Sequence, residues 1–316
     1  MIRFSNSFKS VNIIANRYNT PSSYLDINNN LIIPSGIDSF IREVVSKQFA
    51  VSNQDFNSIN YLNDRKNRLT SNNLIIGSSF SFSNKSRKNM YDNEFSEFKL
   101  KIELAGNLTN LTSNLLNVSK DEFGKNKVLG LTYSQFLKTE TGYIKHWPIG
   151  LNSIIAFRSF FGIAIPFGNS NNIPFSKSFF AGGSNDNRAW EVYRLGPGSS
   201  EALSEFNEAN MKIAMNIEYR FKILGKLDGA LFTDIGNIWN VFDDTKDSKR
   251  TFNSLRDLDE IAIGSGIGLR YNIGYFVLRL DMGLKTYNPV LETNKRWLTD
   301  FNFKKAVFNI GLNYPF

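Results

Sequence analysis

Cysteine is absent from this chain, which removes disulfides, thiolate catalysis and cysteine-ligated metals together. Histidine occurs once, at His146. A histidine-dependent triad or a multi-histidine metal site cannot be assembled from one imidazole, so His146 is read as structural and no catalytic residue, metal or cofactor is expected. Long apolar runs are also missing. A spanning helix needs about 18 or more consecutive apolar residues, and the oiliest stretch, residues 153 to 167, is broken by Arg158. Any insertion into a membrane must therefore use strands. The N-terminus lacks the apolar core of a secretory signal peptide. The net charge of +8, from 37 Lys and Arg against 29 Asp and Glu, is spread over turns, loops and alternate strand positions, with no arginine-rich helix or aromatic RNA-binding motif; charged loops and a solvated polar interior account for it better than a nucleic-acid surface.

What is present is period-two alternation. At the C-terminus Ala306, Phe308, Ile310, Leu312, Tyr314 and Phe316 share one face of a strand, and Val307, Asn309, Gly311 and Asn313 share the other. A strand apolar on one side and small or polar on the other is the unit of a transmembrane β-barrel. The pattern recurs. Met211, Ile213, Met215, Ile217, Tyr219 and Phe221 oppose Lys212, Asn216, Glu218 and Arg220; Leu278, Leu280 and Met282 oppose Arg279 and Asp281; Ile263, Ile267 and Leu269 oppose Gly264, Gly266, Gly268 and Arg270. The three glycines lie inside an alternating strand without the strand-to-helix context of a nucleotide loop. On a lumen face they make room for an inserted loop or allow curvature.

A soluble sandwich alternates too, so the connections decide. Counting back, the connection at 286 to 305 is long, 271 to 274 short, 237 to 261 long, 224 to 226 short, 167 to 208 long, 149 to 151 short, 107 to 126 long, 84 to 93 intermediate and 34 to 71 long. Outer-membrane barrels keep this parity, and sandwiches have no reason to. With further strands near 2 to 19, 21 to 33, 72 to 83 and 128 to 148 the count is about eleven. Because single-chain barrels close with an even number of strands, the sequence is expected to begin partway through a barrel. Residues 37 to 48 place Ile37, Phe40, Ile41, Val44 and Val45 on one face of a short helix, expected to pack on the barrel rim. No linker or internal repeat divides residues 1 to 316, which read as one domain.

The longest loop holds Gly182 and Gly183, then Arg188 and Trp190, then Leu-Gly-Pro-Gly at 195 to 198. By itself the pattern suits either a flexible tip or a segment folded back into the lumen. Two carboxylates on the water-facing side of the next two strands, Glu218 and Asp234, favour the second, since a planar guanidinium pairs bidentately with such groups.

Here the chain resembles the C-terminal barrel of the BamA/TamA superfamily of outer-membrane assembly and translocation proteins, of the bacterial surface antigen type. The resemblance is carried by Phe-Phe-Ala-Gly-Gly at 179 to 183, Leu-Gly-Pro-Gly at 195 to 198, Asn-Ile-Glu-Tyr-Arg-Phe at 216 to 221, Phe-Thr-Asp-Ile-Gly-Asn-Ile-Trp at 232 to 239, Gly-Ser-Gly-Ile-Gly-Leu-Arg-Tyr at 264 to 271 and the terminal strand signal Phe308, Ile310, Leu312, Tyr314 and Phe316. It implies a sixteen-stranded all-β antiparallel barrel in the bacterial outer membrane, of which about eleven strands would be here, preceded by POTRA domains and the first strands outside this chain. It also implies that Arg188 sits on the loop before strand twelve, with Glu218 on strand twelve and Asp234 on strand thirteen. The family's loop motif usually carries Gly after the Arg; Ala189 stands there instead. The implied activity is non-enzymatic insertion or translocation of unfolded outer-membrane protein substrates through a lateral seam, with periplasmic or lipoprotein partners and no nucleic acid. The alternative is a passive porin-like channel. A barrel phospholipase, which would call on His146, has no local sequence support.

Overall fold

The computed structural model describes residues 5–70, 72–89, 92–116, 118–121, 124–201, 207–245, 247–274 and 276–312. Two compact units emerge, one formed within the first 71 residues and one from residue 72 onward.

The first unit is helical: α1 (Ser5–Ala15), α2 (Ser35–Val45) and α3 (Asn53–Thr70). This corrects the reading of 2 to 19 and 21 to 33 as strands. Phe8, Val11, Ile14 and Ala15 recur at intervals of three, three and one, the stripe of a helix rather than of a strand, and Val11, Ile14 and Ala15 enter a core with Ile37, Phe40, Ile41 and Val44 of α2 and Ile59 and Leu62 of α3. The expected amphipathic helix therefore exists as α2, and its apolar face packs on α1 and α3. Residues 21 to 33 hold a short 3-10 turn at Ser22–Tyr24 and a single bridge between Leu25 and Leu31.

The second unit is an antiparallel sheet. Strands β1 (Asn73–Leu74), β4 (Lys127–Val128) and β5 (Leu131–Tyr133) form a small separate sheet, with α4 (Asn107–Leu116) falling between β1 and β4 in the chain. The main sheet contains β2 (Gly77–Lys85), β3 (Phe95–Ala105), β6 (Phe136–Pro148), β7 (Ser153–Pro166), β8 (Met211–Leu224), β9 (Leu227–Trp239), β10 (Ala262–Asn272), β11 (Val277–Tyr287) and β12 (Val307–Leu312), each paired with its neighbour in chain order. The expected single strand at 128 to 148 is broken where Leu129 and Gly130 take positive φ, turning β4 onto β5 ahead of β6. Nine strands thus stand in one continuous antiparallel ladder, and among the described residues none joins β12 to β2.

Connections alternate along this ladder as the sequence implied. Residues 149–152, 225–226 and 273–276 are short links at one end, and 106–135, 167–210, 240–261 and 288–306 are long ones at the other. The faces also alternate: on β8 Asn216, Glu218 and Arg220 are buried while Met215, Ile217 and Tyr219 are exposed, and on β10 Gly268 and Arg270 are buried while Ile267 and Leu269 are exposed. Exposed large apolar residues on one face of a continuous sheet are what lipid requires. No described helix is long and apolar enough to cross a membrane, which says nothing of crossing by strands.

The loop between β11 and β12 is held at Asp300, which accepts from Asn288 Nδ2 at 2.7 Å and Lys305 Nζ at 2.5 Å. Burial pushes this carboxyl up, but the hydrogen bonds from Lys305 and Asn288 and the charges of Lys305 and Lys285 outweigh it and hold the carboxyl below its ordinary range. A depressed carboxylate contributes stability that is present above its unfolded pKa of about 4 and is lost as pH falls through the lower folded value. Acid titration followed at Trp297, which packs edge-on against Tyr287 at 4.9 Å, should accordingly show a loop transition below pH 4 that Asp300→Asn abolishes.

Candidate functional site

The 167–210 connection does not stand away from the sheet. Its hairpin is pinned by a bridge between Ala181 and Leu195 and by Gly183 N donating to Trp190 O at 2.8 Å. Gly182 and Gly183 adopt φ of +94° and +99°, and a Cβ on either would stand 2.2 Å from Glu191 O or 2.6 Å from Val192 Cγ2. Only glycine fits there. Phe179, Ala181, Ala189, Trp190 and Leu195 of the loop then join Phe136, Ile238 and Ala262 of the strands in one buried cluster. The Leu-Gly-Pro-Gly segment lies against the end of β9, with Gly198 N donating to Ile238 O at 2.8 Å and Asn237 Nδ2 to Gly198 O at 2.9 Å.

At the tip Arg188 is 1% exposed. Its Nε and Nη2 donate to the two oxygens of Asp234 at 2.8 and 2.9 Å, its Nη1 to Glu218 Oε2 at 2.5 Å, and its backbone N to Asp234 Oδ2 at 3.0 Å. The guanidinium lies 3.5 Å above the ring of Phe232, adding a desolvated cation–π contact of about 2 kcal/mol. Arg188 is therefore in direct contact with both expected carboxylates, Glu218 and Asp234.

The cluster extends further than alternation alone announced. Glu218 also accepts from Arg220 Nε at 2.7 Å and lies 3.1 Å from Arg270 Nη2; Asp281 accepts from Arg270 Nη1 at 2.5 Å and stands 3.6 Å from Arg188 and 3.4 Å from Arg279. Four arginines thus share three carboxylates. Neighbouring loop atoms are held from every side: Arg158 Nη1 donates to Asn185 O at 2.6 Å, Arg279 Nη2 to Asn185 Oδ1 at 2.8 Å, Asn216 Nδ2 to Asp186 O at 2.8 Å and Lys212 pairs with Asp186 at 2.8 Å. Around the loop tip the polar interior is packed and ion-paired, so that buried charges face opposite charges.

A family model described as the Omp85 superfamily domain matches residues 42–312. The chain belongs to the Omp85 superfamily. A search of curated proteins gives no match. Among solved structures, 66 chains match; one is BamA from Haemophilus ducreyi lacking POTRA domains 1-3, 12% identical with a TM-score of 0.49, over 75% of this chain and 41% of that one. The chain spans about two fifths of that structure. The expected resemblance to a BamA/TamA-type barrel holds at the level of the superfamily, as does the all-β antiparallel class.

In this Omp85 chain the alanine that replaces the usual loop glycine is accommodated without strain. Ala189 has no positive φ, so the backbone there makes no demand that only glycine could meet. Its methyl group packs at Gly264, where an added Cβ would come within 2.6 Å of it. Gly283 is bare for the same reason: a Cβ would stand 2.3 Å from Arg188 O. Trp190 is buried, with Lys285 Nζ 5.5 Å from its ring. Of the terminal strand signal, Phe308, Ile310 and Leu312 face outward on β12, while Tyr314 and Phe316 lie outside the described residues.

Sequence reasoning placed Arg270, Arg279 and Asp281 on the lumen face but did not assign them to the site. The signal was an arginine and an aspartate on adjacent inward positions of adjacent strands. His146 packs at a tilt against Phe95, ring centroids 4.3 Å apart, and lies two strands across the ladder from Glu218.

Proposed function

We propose that this chain is the barrel portion of a non-enzymatic outer-membrane assembly or translocation protein, residing in the bacterial outer membrane and passing unfolded β-rich substrates along a seam at the last strand. The observation that carries the reading is Arg188, buried and shared between Glu218 and Asp234. A loop locked inside the lumen keeps the body of the barrel rigid while the strand at its edge is left to pair with another chain, and unpaired strand edges template incoming strands through their backbone groups. β12 has that character: six residues long, laddered to β11 alone among the described strands. The lipid bilayer is one partner, unfolded outer-membrane proteins the substrates, and periplasmic or lipoprotein partners belong to the complete protein. The barrel is assigned to the sheet unit from residue 72 onward.

A passive porin-like channel is the weaker reading, because the folded-in loop places a buried apolar cluster that includes Phe179, Trp190 and Leu195 against the strands, where a conducting pore needs a wetted path. Depletion of the full-length protein should lower the outer-membrane levels of other barrel proteins. Unchanged levels of all of them, together with a steady large conductance in planar bilayers, would turn the assignment to a channel.

A further inference from the structure

Between Val307 and Leu312 the last strand carries a single polar side chain, Asn309. Its Nδ2 donates to the backbone carbonyl of Arg188 at 2.9 Å. The rest of that inner face is shaped around the same cluster: Gly311 lies opposite Arg279, whose Nη2 and Nε sit 2.6 and 2.8 Å from where a Cβ would be, and Val307 lies opposite Gly283, itself bare against Arg188 O. The outer face holds Phe308, Ile310 and Leu312, exposed by 72, 73 and 66%. Hydrogen bonded along one edge, β12 therefore has one further polar hold, and that hold ends on the residue at the tip of the plugged loop.

We propose that Asn309 couples the seating of the loop to the pairing of the last strand. While Arg188 occupies the carboxylate cluster, its carbonyl is fixed where Asn309 reaches it, and the bond keeps β12 on β11. When the loop withdraws, the acceptor leaves with it and β12 is held by its ladder alone. The guanidinium and the carbonyl of one residue thus face two parts of the barrel: the first grips β8 and β9, the second grips β12. This inference rests on the proposed role of the last strand, and it supplies that role with a control: the edge becomes available when the lock is released.

The test is hydrogen exchange of the β12 amides, read by mass spectrometry on the full chain folded into phosphatidylcholine vesicles. Asn309→Leu keeps the volume and removes the donor; loss of one hydrogen bond should raise β12 exchange by about 2- to 10-fold, while a cysteine placed at Asn187 stays unreactive to maleimide because the loop remains seated. Arg188→Ala frees the loop from the carboxylates and so withdraws the carbonyl that Asn309 holds; it should raise β12 exchange at least as much, and the double variant should add nothing to it. Where Arg188→Ala does not fold, Gly283→Ala displaces the loop and serves in its place. Unaltered exchange in Asn309→Leu, or additive effects in the double variant, would overturn the coupling. Exchange is measured without substrate, so a barrel that shows the coupling and assembles nothing in cells would refute the assembly role and leave the coupling standing.

Discussion

Arg188→Ala should lower the unfolding free energy of the detergent-solubilised chain by about 3–5 kcal/mol, the usual cost of breaking a buried ion pair from one side. The count of charges would not suggest it: four arginines face three carboxylates in the native cluster, and the variant leaves three facing three. Position decides. Arg220 and Arg270 are engaged with Glu218, and Arg270 and Arg279 with Asp281, so the carboxylate stranded by the variant is Asp234, fully buried and left with Asn216 Nδ2 and one backbone N–H. Arg188→Lys keeps a charge but loses the paired hydrogen bonds to Asp234 and the flat contact with Phe232, and should cost less, about 1.5–3 kcal/mol. Equilibrium denaturation in urea separates these values. A loss below 1 kcal/mol for Arg188→Ala would mean that the cluster opens to water in solution and that the loop is not locked.

Gly283→Val should expel the loop with every charge still in place. The φ of Gly283 is ordinary, so its need for glycine is wholly steric: the added side chain would begin 2.3 Å from Arg188 O and 2.7 Å from Ala189 N, both backbone atoms that cannot rotate away. Overpacking of this kind costs about 1–3 kcal/mol when side chains can adjust; here the loop backbone must move. In a chain without cysteine, Asn187→Cys is a unique thiol at a position 3% exposed, and its maleimide reactivity should rise by at least an order of magnitude in the Gly283→Val background. Gly142→Ala is the matched control, because a Cβ there meets only Ser159 O, at 3.9 Å. Equal reactivity in both backgrounds would show that the loop and β11 do not meet as described.

The outward and inward faces of β8 and β10 were legible because a barrel strand has one face in lipid and one face in the lumen, and period two records that directly. Arg188, Glu218 and Asp234 were legible because a loop arginine and two inward carboxylates are incompatible with burial apart. Phe232 was not, since alternation assigns an inner position to a polar residue, and only the guanidinium stacked on it explains an aromatic there. Nor were the partners Arg270 and Asp281: period two fixes the face of a residue but not its height along the barrel, which depends on the stagger between strands. The N-terminal helices were not legible because residues 1 to 8 open in strand-like alternation, while the helical spacing of Phe8, Val11, Ile14 and Ala15 shows only over a longer window. Asn309 looked like an ordinary polar position on the small side of a strand.

The bond between Asn309 and Arg188 closes over 121 residues. Contacts so distant in sequence must wait for the intervening chain to be ordered, since each pays its loop-closure entropy before it returns anything. The five strands that follow the loop, β8 to β12, begin within that interval, and each supplies a partner to Arg188 or to the groups around it. A growing or half-folded chain therefore cannot hold the finished site in any form. The plug is a record of completion: its full set of contacts exists only once the final strand has been laid down.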